Sequence, residues 1–349
     1  MESTQKIEYT CDFLLAWRAI ANGVTAQSAK TRERYWQHWV SYTHKLNTNP
    51  YLKGETEINK AIILTGYAAR VRAGAFGLGN EVKVQSVSNA LASVSKTIEL
   101  AGERSPIYAA HETYKLPIQR CLEGFRREDP PAIPQLAVPV KVTKEAVQQA
   151  YKNRCPQQQA IGDLIVIAFF YLLRSGEYTK PKMVKENGAW KRATRTKQFR
   201  IMDVGFYKDG KILPRRSPLH HLETAESATL KISNQKNGRM GQTIHHQSTG
   251  KWGAVAALAR RVNHVLSNGG KESQLISAYH TGTNWNDVTS QMIVTNVRKA
   301  AKSLNLSECG IDPDIIGAHS LRAGGAMAMK LQQYPDTTIQ KMGRWTSNT

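Results

Sequence analysis

The chain has 349 residues, 41% hydrophobic and 21% charged, the composition of a globular protein of about two domains, which excludes a collagen-like or wholly disordered chain. Its 48 lysines and arginines against 27 aspartates and glutamates leave a formal charge of +21, and such a chain seeks polyanions, nucleic acid first among them. Cys11, Cys121, Cys155 and Cys309 are far apart with no C-x-x-C pair, so neither a disulfide framework nor a zinc ribbon is written here. A reducing compartment fits this cysteine usage. The start MESTQKIEYT lacks a signal-peptide pattern, and no apolar run reaches the ~18 residues that span a bilayer, so the expectation is a soluble protein with no membrane partner.

The first ~125 residues read as helical. Residues 29–46 set Trp36, Trp39 and Tyr42 at helical spacing among basic residues, which predicts a helix with an aromatic core side and a cationic outer side. Residues 57–72 and 86–101 repeat the period, the second with Leu91, Val94 and Ile98 on one face behind a serine-rich start suited to capping. Gly74, Gly77 and Gly79 lie between helices with no strand before them and read as a connector, not a phosphate loop. Four prolines within 128–140 keep that stretch extended. The domain organisation that follows is a helical bundle over 1–127, a proline-rich linker over 128–140, and a second domain over 141–349.

In the second domain, Thr143 with Glu145 close behind predicts a capped helix start, and the apolar run 161–173 predicts a buried helix that ends where Arg174 and Gly176 appear. Between 199 and 247 the period changes. Hairpin dipeptides Asp209-Gly210 and Asn237-Gly238, each flanked by β-branched and aromatic residues, predict a small antiparallel sheet with Lys236 at the tip of its second hairpin. From 251 onward the pattern is helical, with Ile293, Val297 and Leu304 along one such segment. The fold class is mainly α, two domains, with a sheet insertion in the second.

Chemistry concentrates in four short stretches: YLLRSGEY with Arg174 and Glu177, SNQKNG with Lys236, AHSLRAGG with His319 and Arg322 three residues apart, and GRWTS with Trp345. An H-x-x-R pair alone arises often by chance. In this order, and on these elements, the set resembles the catalytic domain of tyrosine recombinases, whose signature is an early arginine, a hairpin lysine, H-x-x-R, and a His or Trp before the nucleophilic tyrosine. The spelling around His319 and Trp345 is similar to integrases of eukaryotic mobile elements of the Crypton and DIRS type. The basic helical bundle and proline linker upstream resemble that family's core-binding domain in architecture.

The resemblance implies a site-specific DNA recombinase or integrase that cleaves and rejoins strands through a 3′-phosphotyrosine, without metal or other cofactor. Its partners would be double-stranded DNA and, on two DNA sites, a homo-tetramer. Arg174 and Arg322 would hold the non-bridging oxygens of the scissile phosphate, a task suited to planar, always protonated guanidinium forks. Lys236 would protonate the departing 5′ oxygen, His319 would donate to the phosphate or exchange a proton with the tyrosine, Trp345 would hydrogen-bond the phosphate and pack the site, and Glu177 would support Arg174. DNA contacts from the first domain would include Lys30, Arg32, Arg34 and Lys96. In a eukaryotic mobile element the place of action would be the nucleus, otherwise the cytoplasm or nucleoid.

One departure stands out. The family's tyrosine follows the Trp position by two to three helical turns, and the sequence in hand runs only to Thr349. Tyr334 lies where the family has no nucleophile and reads as a packing residue. The expectation is therefore a chain cut before its nucleophile, which binds DNA, forms no covalent bond to it, and is monomeric without the tail that the family passes between neighbours. The alternative is a domesticated, non-catalytic DNA-binding protein; a type IB topoisomerase, which shares the chemistry, is a third reading. The His220-His221 and His245-His246 pairs lack ligand spacing and read as exposed loop residues, with no metal site. The basic stretch 191–200 reads either as a solvated loop or as a track along a DNA backbone. Motifs for ATPase, zincin or serine-hydrolase chemistry are missing.

Overall fold

The computed structural model describes residues 15–16, 23–77, 79–107, 112–131, 136–186, 188–234 and 241–345. The chain divides into two compact units, Met1–Ile133 with Val184–Lys191, and Pro134–Met183 with Arg192–Thr349. The fold is mainly helical with small antiparallel sheets.

The first unit packs α1 (Ala26–Lys45), α2 (Glu57–Arg72), α3 (Val84–Leu100) and α4 (Glu112–Glu128). Its core gathers Trp39, Leu64, Tyr67, Val87, Leu91, Val94 and Ile98, with Trp36 and Tyr42 packed against it half-buried. The Trp39 indole can be buried because its N–H donates to the Pro50 carbonyl at 2.7 Å. Thr25 and Thr56 cap α1 and α2 by accepting from the Ser28 and Asn59 amides. The serines expected to cap the third helix do not: α3 starts at Val84 after Lys83, which makes no side-chain cap. Instead Asp129, just beyond α4, accepts the Val84 amide at 2.9 Å and pairs with Arg72 at the end of α2, placing a carboxylate at the positive end of α3. Gly74 serves the connector, as read. It has φ +72, and a Cβ there would lie 2.1 Å from the Asn80 carbonyl oxygen.

The proline-rich segment is anchored where it is described. Asp129 makes the contacts just given, and Val138 is buried, its amide donating to the Ser320 carbonyl at 3.1 Å. In the second unit α5 (Val140–Lys152) starts after Pro139, not at Thr143, which is buried inside the helix. Proline supplies the extended entry and needs no amide there, so the helix begins a turn earlier than the capping pattern suggests. Next, α6 (Pro156–Phe170) is enclosed from Ala160 to Phe169 at the centre of the second core, and a short α7 (Ser175–Tyr178) follows. The two-stranded ribbon of β1 (Met183–Glu186) and β2 (Ala189–Arg192), most of which groups with the first unit, is followed in the second by a sheet of β3 (Val204–Lys208), β4 (Lys211–Leu213), β5 (Ser227–Lys231) and β6 (Thr243–Gln247), ordered β4-β3-β5-β6. Asp209 and Gly210 both take positive φ at the first hairpin, as a tight two-residue turn requires. The tip of the second hairpin, with Lys236, lies outside the described residues.

A one-turn α8 (Leu219–Leu222) lies between β4 and β5, and α9 (Ala254–Ser267) follows β6. The uniform helical reading beyond 251 is corrected by a second ribbon, β7 (Ala278–His280) with β8 (Trp285–Asp287), turned by residues 281–284. Beyond it are α10 (Ser290–Ser303), which buries Ile293 and Val297, α11 (Ser320–Leu331) and α12 (Asp336–Gly343). The Gly324-Gly325 pair lets α11 seat closely: a Cβ on Gly324 would lie 2.2 Å from the Val138 carbonyl oxygen, and one on Gly325 would lie 2.2 Å from that of Phe169.

Gly325→Ala is expected to lower the unfolding free energy by about 1–3 kcal/mol through overpacking, read from urea denaturation. A second expectation concerns His264, whose Nε2 accepts the His280 amide at 2.9 Å and must therefore be unprotonated. Burial, with the charges of Arg261 and His280 adding to it, pushes the imidazole down to about 4. The unfolded chain then binds the extra proton first, so stability falls as pH drops from about 6.5 toward 4. A urea midpoint flat across that window, or one as steep in His264→Leu, would contradict the assignment.

Candidate active site

The site is built where α6 stops. The apolar run continues to Leu173, but the helix ends at Phe170, because Leu172 takes φ +48 and turns the chain. Arg174 is thus not delivered by the buried helix; it is the residue before α7. Glu177, one turn on, is 1% exposed and accepts the Arg174 amide at 2.8 Å, and its other oxygen pairs with the Arg174 guanidinium at 3.3 Å.

The turn at Leu172 presents its carbonyl to two guanidinium groups. Arg322, in the first turn of α11 and buried, donates from Nη1 at 2.6 Å, and Arg344 donates from Nη2 at 3.1 Å. The same Arg344 nitrogen meets Glu177 at 2.9 Å. Arg322 Nη2 donates to the Gly343 carbonyl. The Arg322 guanidinium also lies 4.7 Å from the centre of the Trp345 ring. Arg344 holds φ +56 at the end of α12, and a Cβ on Gly343 would overlap the Trp345 ring at 2.0 Å. Glycine and the left-handed turn together fold the indole back beneath Arg322.

Arg174 and Arg344 therefore pair with one carboxylate, and Arg322 shares the Leu172 carbonyl with Arg344. Burial, then the like charges of Arg174 and Arg344, push the Arg322 guanidinium down to about 9, with Glu177 opposing the shift. Arg174 is the more accessible, with its side chain 20% exposed.

Of the residues read from sequence, Arg174, Glu177, Arg322 and Trp345 come together. His319 immediately precedes α11 and is exposed, whereas Arg322, three residues on, is buried. Lys236 falls outside the described residues, and Lys231 is exposed on β5 opposite Thr243. Tyr334 is 51% exposed, which corrects its reading as a packing residue. Sequence reasoning missed Arg344 and the Leu172 carbonyl. The adjacency of Gly343, Arg344 and Trp345 was the available signal.

The histidine pairs also differ from expectation. His220 and His221 lie on α8, and His245 and His246 on β6, with His246 packed at 5.2 Å against Phe170 and held below the usual imidazole range by burial. Among the described residues no three His, Cys, Asp or Glu side chains are grouped to hold a metal. In the stretch 191–200, Ala193, Thr196, Gln198 and Phe199 are buried while Lys191, Arg192, Arg195 and Lys197 are exposed, so the segment is anchored to the core at intervals.

In the first unit, Arg32 and Lys96 line one cleft of about 520 Å³ between α1 and α3, together with Ser28, Thr31, Asn89 and Ser93. Lys96 is paired there with Glu99 at 3.0 Å. Lys30 is exposed on α1, and Arg34 lies over the Tyr35 ring and lines a different groove with His38 and Phe76.

No protein-family model matches this sequence, and no curated protein does. Solved structures do resemble it. The Tn1549 transposon integrase in complex with transposon right end DNA is 11% identical, with 82% of this chain and 78% of that one covered and a TM-score of 0.43. The same integrase with circular intermediate DNA is 12% identical over 90% and 92% of the two chains, with a TM-score of 0.44. XerA recombinase is 12% identical over 90% of each chain, with a TM-score of 0.34.

Glu177→Gln removes the anion that Arg344 and Arg174 share. The expected loss is about 3–5 kcal/mol of unfolding free energy, because buried cations are left uncompensated. Calorimetry of the variant checks this, and an unchanged transition temperature would refute the role given to Glu177.

Proposed function

We propose that the chain is a DNA strand-exchange enzyme of the tyrosine-recombinase type, acting on duplex DNA without a metal. The observation that carries this reading is the convergence of Arg174 and Arg322, 148 residues apart in sequence, on one turn with Trp345 beneath (322 − 174 = 148). A phosphodiester under attack gains charge on its non-bridging oxygens, and the surplus of positive charge here matches that change. Backbone carbonyls and Glu177 hold the guanidinium groups in place beforehand, so little reorganisation accompanies the reaction.

In this reading Arg174 and Arg322 stabilise the phosphate and His319 donates to it from the start of α11. Lys236, between β5 and β6 in sequence, protonates the leaving 5′ oxygen, and Trp345 packs against the bound phosphate. Lys30, Arg32, Arg34 and Lys96 contact the DNA backbone from the helical bundle. Assembly as a homo-tetramer on two DNA sites, kinship to Crypton and DIRS elements and action in the nucleus complete the proposal. It rests for these on the spelling of the motifs.

Two measurements test it. Affinity for duplex DNA, followed by fluorescence anisotropy, is expected to fall steeply with salt, and Arg174→Ala is expected to reduce the log–log slope by about 0.9, one phosphate contact. In a version of the protein that carries a nucleophilic tyrosine, a nicked duplex incubated with EDTA is expected to trap a covalent protein–DNA adduct that Arg322→Ala abolishes. Salt-independent affinity, or an adduct that persists in Arg322→Ala, would overturn the reading.

A further inference from the structure

The ribbon of β1 and β2 presents a surface that the catalytic reading does not use. Its strands are separated by two residues, 187 and 188, and the Ala193 amide donates to the Lys182 carbonyl at 2.8 Å where the ribbon meets the rest of the chain. That register sets Lys185 opposite Trp190 and Met183 opposite Arg192, and strand alternation puts these four on one face. The other face turns inward at its base, where Val184 is half-buried and Ala193 is 2% exposed.

The outward face is open and cationic. Trp190 is 68% exposed and Met183 41%, and β2 is exposed along its whole length. A tryptophan is a large apolar side chain to leave in water, and an isolated two-stranded ribbon is marginal by itself, so this face is unusual unless something covers it. None of the four residues is acidic. Over 180–192 the sequence carries Lys180, Lys182, Lys185, Lys191 and Arg192 against one acidic residue, Glu186. Lys180, Lys182, Lys185 and Arg192 are exposed, the last also donating to the Gln198 side chain.

We propose that this ribbon is a second DNA contact, with Lys185 and Arg192 on backbone phosphates and the Trp190 indole against the sugar and base edges between them. The proposal rests on the reading of the chain as a duplex-DNA binder. Charge complementarity selects the occupant, and the dimensions agree with it: a B-DNA major groove about 12 Å wide admits a two-stranded β-ribbon. An aromatic side chain between two cations joins phosphate attraction to apolar contact with the nucleotide.

The test compares the whole chain with Trp190→Ala and Lys185→Gln, both at exposed positions, after circular dichroism melts show unchanged folding. Binding to a labelled duplex is measured over a range of salt. Trp190→Ala is expected to weaken binding about fivefold or more at every salt concentration, as loss of an aromatic–nucleotide contact does. Lys185→Gln is expected to lower the salt slope by about 0.9. Wild-type binding with both variants unchanged would overturn the ribbon's role and leave the DNA-binding reading standing. No wild-type binding would overturn both. Variants that bind duplex normally but lose binding to anionic phosphatidylserine vesicles would assign the face to a lipid surface, against the proposal.

Discussion

A single buried carboxylate organises the candidate site. Glu177 holds the Arg174 amide and guanidinium and meets Arg344, so it fixes the start of α7 and ties it to the end of α12. Three guanidinium groups this close repel one another, and burial adds the cost of lost hydration. The Leu172 carbonyl takes up part of that cost by accepting from both Arg322 and Arg344, which it can do only because the chain turns at Leu172. The end of α6, a left-handed leucine and one glutamate are thus parts of the same arrangement.

The first unit repeats this logic with different residues. Asp129 caps α3 and pairs with Arg72, whose Nε also meets Glu81 at 2.7 Å, so the ends of α2, α3 and α4 meet around one ion-paired arginine. The high net charge of the chain is therefore not all surface charge. Arg72, Arg261, Arg322 and Arg344 are buried and hold backbone or carboxylate partners. Among the described residues, accessible cations include those on the α1 and α3 surfaces, Arg174, and the outer face of the β1–β2 ribbon.

Much of this was legible in the sequence, for identifiable reasons. Helical periodicity located α1, α2 and α3 because each buries one stripe, and Trp39, Leu91, Val94 and Ile98 fall in the core as their spacing implies. The Asp209-Gly210 hairpin was legible because only residues tolerant of positive φ fit it. What escaped has causes as well. An apolar run does not mark a turn made by leucine, so the run extends three residues past the end of α6, to Leu173. Thr143 carried a capping pattern, but Pro139 had already begun the helix. Nothing in the sequence marks Arg344 as buried, because it is the φ +56 turn that carries it inward to Glu177. The β7–β8 ribbon is only three residues on each strand, too short for alternation to register.

Arg322 has a further consequence. Its terminal nitrogens are held by the carbonyls of Leu172 and Gly343 and its face by the Trp345 ring, not by a surface carboxylate. Mobile ions screen exposed charge pairs over about 8–10 Å at ordinary ionic strength, but they scarcely reach buried dipoles. In the proposed reading, raising salt would release a polyanion from the outer cations while the guanidinium cradle keeps its shape. Capture and alignment would then respond separately to the ionic environment, and DNA loaded at low salt would meet an already assembled centre.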